Sequence, residues 1–142
     1  MLSQTAEYAL RAMVSLARGG PHTVQDVAAD ARVPLDYLSK ILNALGRAGL
    51  VSAQRGRGGG FQAARPANQI SVLDVVTAVD PVRRIHTCPL ALAAHGTNLC
   101  PLHRKLDDAA RSIEDAFRST TIGSLAIVPF CAEENACAAV AN

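Results

Sequence analysis

Apolar residues recur every three or four positions at the start of the chain. Ala6, Ala9, Leu10, Met13, Val14 and Ala17 make one stripe, which predicts a helix from Leu2 to Arg18, ended by Gly19-Gly20-Pro21. Thr23 followed by Asp26 is a capping-box-like start for a second, short helix. Arg32-Val33 is a turn, and Pro34 opens a third helix, where its missing N–H costs nothing. On that helix Leu35, Leu38, Ile41, Leu42 and Leu45 face inward, and Gly49 closes it. The same period turns Asp36, Ser39, Lys40 and Asn43 outward, short polar or cationic side chains suited to base edges and phosphates.

Leu50–Ala53 and Phe61–Ala63 then read as short strands around a glycine-rich loop, Arg55-Gly56-Arg57-Gly58-Gly59-Gly60. Three consecutive glycines also suggest a nucleotide-binding loop. That reading fails because the loop joins two strands and no Lys-Ser/Thr pair follows it. Ser71 with Asp74 starts a fourth helix ending near Val79, and the stretch from Asp80 to Leu99, with Pro81, Pro89 and Gly96, is irregular. A long helix is predicted from Pro101 to Ala126. Its apolar positions Leu102, Leu106, Ala109, Ile113 and Ala116 alternate in steps of four and three, a short heptad seam. Such a seam suits pairing with a twin helix, and packing on the same subunit is the alternative. The tail from Pro129 to Asn142 reads as poorly ordered.

The order of these elements predicts a mostly α fold with a small β wing: two short helices, the second placed to enter a DNA groove, and a basic hairpin beside it. This is the pattern of a winged helix-turn-helix. Charge sharpens that picture. Residues 1–65 hold eight Lys/Arg against four Asp/Glu, whereas residues 66–142 hold six against eight. From Tyr37 to Leu73 there are five basic residues, Lys40, Arg47, Arg55, Arg57 and Arg65, and no acid. A solvated basic face is the plain explanation. Coincidence with the helix–hairpin pattern favours a phosphate-contacting surface.

Hydrophobic residues make up 49% of the chain, but aromatics only 4%, with no Trp, so alanine and leucine carry the core and favour helices. No apolar run is long enough to cross a bilayer, and the N-terminus lacks the pattern of a signal peptide. A cytoplasmic protein without a membrane partner is therefore expected. In that compartment four cysteines point to metal or redox chemistry before structural disulfides. Cys88 and Cys100 bracket a loop containing His95, and His103 follows one helical turn after Cys100. Two thiolates with imidazoles at this spacing can hold a metal or an iron–sulfur cluster; two small buried hydrophobes beside solvated histidines are the alternative. Cys131 and Cys137 stand in the tail, and adventitious thiols are favoured there over a labile disulfide or extra ligands. No nucleophile–base–acid set is apparent, so an enzyme is not expected.

Glu7-Tyr8-Ala9-Leu10-Arg11-Ala12, Tyr37-Leu38, Leu45-Gly46-Arg47-Ala48-Gly49-Leu50-Val51, the Arg55–Phe61 glycine loop and the Cys88/Cys100 loop together resemble the Rrf-two family of bacterial transcription factors. This is the family of the iron–sulfur cluster regulator and the nitric-oxide-sensing repressor. The resemblance implies a homodimer of winged helix domains on double-stranded DNA, joined by long C-terminal helices. Many members carry an iron–sulfur cluster whose loss or change alters DNA affinity.

Carried onto this chain, Cys88 and Cys100 match the first and third loop cysteines and His103 the histidine ligand, while Glu7 falls where some members place an acidic ligand from the partner's first helix. The middle cysteine position holds Ala94, which favours a 2Fe–2S over a 4Fe–4S cluster. A cluster-free member is the alternative.

The expected organisation is a DNA-binding domain over 1–80, a sensor loop over 81–100, a dimerisation helix over 101–126 and a flexible tail over 127–142. Tyr37, Ser39, Lys40 and Asn43 of the third helix would meet bases or phosphates. Arg55, Arg57, Gly58 and Gly59 would form the wing. Leu102, Leu106, Ala109 and Ile113 would form the dimer seam. The expected activity is repression governed by redox state, iron or nitric oxide. A thiol switch or small ligand on the same fold, and a winged helix used only for protein contacts, are the rival readings.

Overall fold

Small side chains on helix α1 (Gln4–Leu16) set the architecture, because Ala6, Ala9 and Ala12 are fully buried and let other helices approach closely. Helices α2 (Val24–Ala31), α3 (Leu35–Arg47) and α4 (Val72–Val79) all pack against α1. The computed structural model describes residues 2–90 and 98–126. The tail, with Cys131 and Cys137, and the loop positions Ala94 and His95 lie outside the described residues.

Local chemistry explains most boundaries. Ser3 caps α1, its hydroxyl accepting from the Ala6 N–H at 3.2 Å, so the helix is shorter than the apolar stripe suggests. Thr23 and Asp26 form a complete capping box at α2, and the Thr23 side-chain and backbone hydrogen bonds hold the Asp26 carboxyl below the usual carboxylate range. Arg32 turns the chain between α2 and α3 in the left-handed region, at φ 52°. Pro34 is the cap of α3 rather than its first helical residue. Leu38, Ile41, Leu42 and Leu45 are buried as expected, but Leu35 is 44% exposed. That expectation was periodic, and the first turn of α3 lies outside the core that the second turn enters.

The wing is an antiparallel hairpin, β1 (Val51–Gln54) paired with β2 (Gly60–Ala63), with Val51 opposite Ala63 and Gln54 opposite Gly60. A further bridge fixes it to the loop before α2: His22 and Phe61 exchange backbone hydrogen bonds of 2.8 and 2.7 Å. Gly60 is required there, since a Cβ would come within 2.4 Å of the His22 carbonyl oxygen.

The long C-terminal helix is interrupted. Helix α5 (Pro101–Ser119) stops at Thr120, and a short α6 (Ile122–Leu125) follows. The apolar spacing itself lapses here, since residues 118–121 are Arg-Ser-Thr-Thr, and the predicted helix ran on to Ala126 across that gap. The physical cause is two hydroxyls, Ser119 and Thr120, which both donate to the Ala116 carbonyl and compete with the helix ladder. The extended residues then pair with the start of α4. The Val72 N–H donates to the Thr120 carbonyl at 2.9 Å, and the Ile122 N–H to the Ile70 carbonyl at 2.8 Å. Ile122 is fully buried in the same core as α1.

Residues 81–88, which lead towards α5, have neither helix nor strand, yet they are held by a polar clamp. Arg84 donates from Nε and Nη2 to the two Asp107 oxygens, both at 2.7 Å, and from Nη1 to Glu114 at 3.1 Å. The Ile85 N–H adds a 2.9 Å bond to Asp107. These bonds, Arg84 first and the Ile85 N–H second, hold the Asp107 carboxyl well below its usual range, and the same pairing raises Arg84.

A pH dependence follows. A carboxyl lowered in the folded state contributes stability that is fully present above its unfolded value of about 3.9 and is lost as pH falls towards the folded value. Denaturation between about pH 5 and 2 should therefore show a steeper acid loss for wild type than for Asp107→Asn. Equal slopes would mean the clamp does not contribute.

Candidate functional site

The outward face of α3 carries Tyr37, Ser39, Lys40 and Asn43, all exposed. Tyr37 is propped from behind: its ring meets Tyr8 of α1 edge-on, with centroids 6.1 Å apart and planes at 79°. Tyr8 is itself positioned, accepting a 3.0 Å hydrogen bond from Gln4 and lying under the Arg11 guanidinium. Arg11 in turn pairs with Glu7 one turn back. Periodicity does not forecast this stack, although these are the only two tyrosines of the chain. Ser39 donates to the Leu35 carbonyl at 3.3 Å, so its hydroxyl is turned onto its own helix.

At the hairpin tip Arg55 and Arg57 are exposed, and Gly56 and Gly58 adopt φ of 99° and 78°. A Cβ on Gly59 would lie 2.2 Å from the Gln54 carbonyl oxygen, so the wing turn excludes side chains there. Among the described residues, Lys40, Arg47, Arg55 and Arg57 have no carboxylate partner. Lys40 and Arg47 also line a depression of about 370 Å³ with Tyr37, between α3 and the end of α4. The arrangement presents uncompensated positive charge on both the third helix and the wing, the condition for displacing counterions from phosphates.

A second constellation sits at the start of α5. Cys100 is the cap residue, Pro101 opens the helix, and His103 lies on its first turn. That i, i+3 relation brings the Cys100 Sγ to 3.1 Å from the His103 Nδ1. Cys88 arrives from the clamped loop, its Sγ 3.7 Å from the same nitrogen. All three donor atoms lie within 4.8 Å of one another, with Cys100 buried and the other two half-buried. Bonds of about 2.3 Å to sulfur and about 2.1 Å to nitrogen around one tetrahedral metal put donors roughly 3.5–3.8 Å apart, close to this spacing. Two thiolates and an imidazole are also a donor set that an iron–sulfur cluster accepts. Glu7 is not among the donors that converge within this chain: it stands on α1, paired with Arg11.

Leu102 and Leu106, at 62% and 50% exposure, and Ala109 line an outward stripe of α5. Ile113, on the same sequence seam, is half-buried and lines a cavity of about 240 Å³ with Val76, Val82 and Phe117 of its own chain. Sequence reasoning also missed the Arg84–Asp107–Glu114 clamp beside this stripe, since single charges in a polar segment carry no local signature.

No helix among the described residues is long and apolar enough to cross a membrane. A helix-turn-helix-type transcriptional regulator of Mycobacterium tuberculosis is 37% identical over 132 residues, covering 88% of this chain and 80% of that protein. Among solved structures, CymR, the global cysteine regulator of B. subtilis, superposes with a TM-score of 0.73 at 22% identity, over 89% of this chain and 96% of that one. IscR of T. potens gives a TM-score of 0.73 at 23% identity, over 88% and 85% of the two chains. These two likenesses establish the winged helix fold. The family model described as Rrf2, iron-dependent transcriptional regulator, matches residues 2–127. The chain therefore belongs to the Rrf2 family, whose members are transcriptional regulators that bind DNA rather than enzymes.

Proposed function

We propose that this regulator binds double-stranded DNA as a homodimer and represses transcription, with Cys88, Cys100 and His103 holding an iron–sulfur cluster as its sensor. The observation that carries the sensor reading is the convergence of three donor atoms within 4.8 Å at the start of α5. The iron-dependent description of the family supports iron as the metal. Two cysteines with two other donors suit a 2Fe–2S cluster, as mixed sulfur and nitrogen ligation does elsewhere. The partner subunit's Glu7 is the proposed fourth donor. When bound, the cluster supplies redox- and oxidant-sensitive chemistry. The chain's own residues do the rest. Cys100 and His103 anchor the site to α5, Cys88 ties it to the loop, and α5 carries the exposed Leu102–Leu106–Ala109 stripe proposed as the dimer seam.

On the DNA side, α3 enters the major groove with Tyr37, Ser39, Lys40 and Asn43 towards bases or phosphates. Arg55 and Arg57 carry the wing towards the backbone or minor groove, with Gly58 and Gly59 allowing the turn. The unpaired cations of α3 and the wing favour DNA over a purely protein-binding winged helix. The close approach of the Cys88 and Cys100 donors also supports a second sensor reading, a cluster-free thiol switch.

Three measurements test these assignments. Anaerobic protein reconstituted with iron and sulfide should show visible absorbance. Cys88→Ala and Cys100→Ala should each lose it, while Cys131→Ala and Cys137→Ala keep it. A colourless wild type shifts the sensor to thiol chemistry. Arg55→Ala should weaken operator binding by ~1–3 kcal/mol if it reads a base, or flatten the salt dependence if it meets phosphate. Unchanged affinity and salt slope would remove Arg55 from the interface. Leu106→Asp, at a position exposed in the single chain, should leave the subunit folded and yield monomers in sedimentation, because an unpaired charge in an apolar interface is costly. A tight dimer in that variant would place the interface elsewhere.

A further inference from the structure

We propose that Arg84 is the positioning residue of the cysteine–histidine site: its fork onto Asp107 and Glu114 sets the height along α5 at which Cys88 meets Cys100 and His103. The metal-binding part of this inference rests on the sensor reading above. The placement of the two thiols does not.

Cys100 and His103 need no outside help, since the cap and first turn of one helix fix both. Cys88 lies off that helix. It ends a leg of chain with no backbone ladder. Among the described residues, the side-chain polar contacts from residues 81–87 to the rest of the protein all come from Arg84 and Ile85. Both meet Asp107, which lies one helical turn beyond His103, a rise of about 6 Å. Three residues, from Ile85 to Cys88, reach at most about 10 Å. The Arg84 fork holds the Asp107 carboxylate that the Ile85 N–H meets, and together they keep Cys88 within reach of His103. A slip of one turn along α5, about 5.4 Å, would exceed the 4.8 Å spacing of the donors.

The fork also sets direction. Two parallel bonds to Asp107 define the guanidinium plane, and the third bond, to Glu114 two turns further on, prevents it from pivoting. Asp107 is only 9% exposed, so the pair is largely withdrawn from water and its geometry is not easily exchanged for solvent. A lysine brings one point charge and cannot reproduce this plane. A pair that served stability alone would lower the unfolding midpoint when broken and leave the two thiols where they are.

The test uses full-length protein carrying Cys131→Ser and Cys137→Ser, which leaves Cys88 and Cys100 as its only thiols. Two probes report on the site: Co(II), through its thiolate charge-transfer absorbance, and phenylarsine oxide. The arsenical forms two As–S bonds to a close thiol pair and releases water. Arg84→Ala, with helix content retained by circular dichroism, should weaken Co(II) binding by about tenfold, the lower end of the effect of losing a group that orients a metal ligand, since Arg84 acts through the chain rather than on a donor. It should also slow arsenical capture severalfold. Arg84→Lys should resemble Arg84→Ala. Wild-type Co(II) affinity and capture rate in a folded Arg84→Ala protein would overturn the proposal, and so would full rescue by lysine.

If Arg84→Ala fails to fold, Asp107→Asn carries the test. It keeps an oxygen for the Ile85 N–H but loses the charged fork, and the same losses are expected. If wild type takes up no Co(II), the metal reading fails, and the arsenical rates alone decide whether Arg84 places the thiols.

Discussion

Ile122 joins the two ends of this molecule's mechanics. It is fully buried in the core built on α1, and its N–H bonds the Ile70 carbonyl just before α4. Burying an isoleucine contributes about 1.5–3 kcal/mol, and the paired backbone at Ser71 and Thr121 removes freedom that a single side chain leaves. Gly123 allows this approach, since a Cβ there would meet the Asn68 backbone at 2.9 Å. The C-terminal end of α5 is thus fixed to the domain that carries α3 and the wing. Its other end carries Cys100 and His103, 19 residues and about 28 Å away. If the proposed sensor acts, a helix fixed at one end and bearing its donors at the other would transmit a change at those donors as a rotation or shift of the rod. In the proposed dimer, that movement alters the spacing of the two reading heads, which is where a coupling free energy can arise.

Electrostatics divide along the same line. Among the described residues, Lys40, Arg47, Arg55 and Arg57 of α3 and the wing lack carboxylate partners, while on the α5 side Arg84, Asp107 and Glu114 neutralise one another. A net charge of +2 therefore understates what a phosphate backbone would meet. Helix α1 links the two regions. Its Ala face is the core's spine, and its exposed first turns carry the Glu7–Arg11–Tyr8 stack that supports Tyr37. A tyrosine held by an edge-on ring loses less freedom on binding than one free to rotate, so in the proposed DNA contact part of the ordering cost of Tyr37 would be met in advance.

How much was legible in sequence depended on the range of the interaction. The capping boxes at Thr23 and Ser71, the left-handed turn at Arg32, the glycine wing and the Cys100–His103 pair all act within a few residues, and spacing exposes them. The helix break at Thr120 was legible but passed over: the apolar spacing lapses over residues 118–121, and Ser119 and Thr120 carry the hydroxyls that cause it. Leu35 misled, and Ile113 divides between the proposed seam and its own chain. Period gives the face of a helix but not what covers that face, so Leu35 emerged into solvent and Ile113 was partly claimed by its own chain. The Arg84–Asp107 fork and the Tyr8–Tyr37 pair join residues 23 and 29 positions apart. Nothing local marks such partners.

One further consequence concerns the incompleteness of the site within a single chain. Three donors converge from this subunit, and Leu102, the first residue of the exposed stripe, stands between Cys100 and His103 in sequence. The proposed metal site and the proposed dimer seam therefore begin on the same turn of α5. If the fourth donor is the partner subunit's Glu7, metal and partner bind to one linked equilibrium. Each then favours the other by the same free energy, as reciprocity requires. Glu7 must first leave Arg11, and the bonds it gives up are deducted from that coupling. The exchange also releases Arg11 from the stack under which Tyr8 supports Tyr37. In the proposed dimer, donor exchange at Glu7 would thus be a direct physical route from the proposed sensor of one subunit to α3 of the other, additional to any movement of α5.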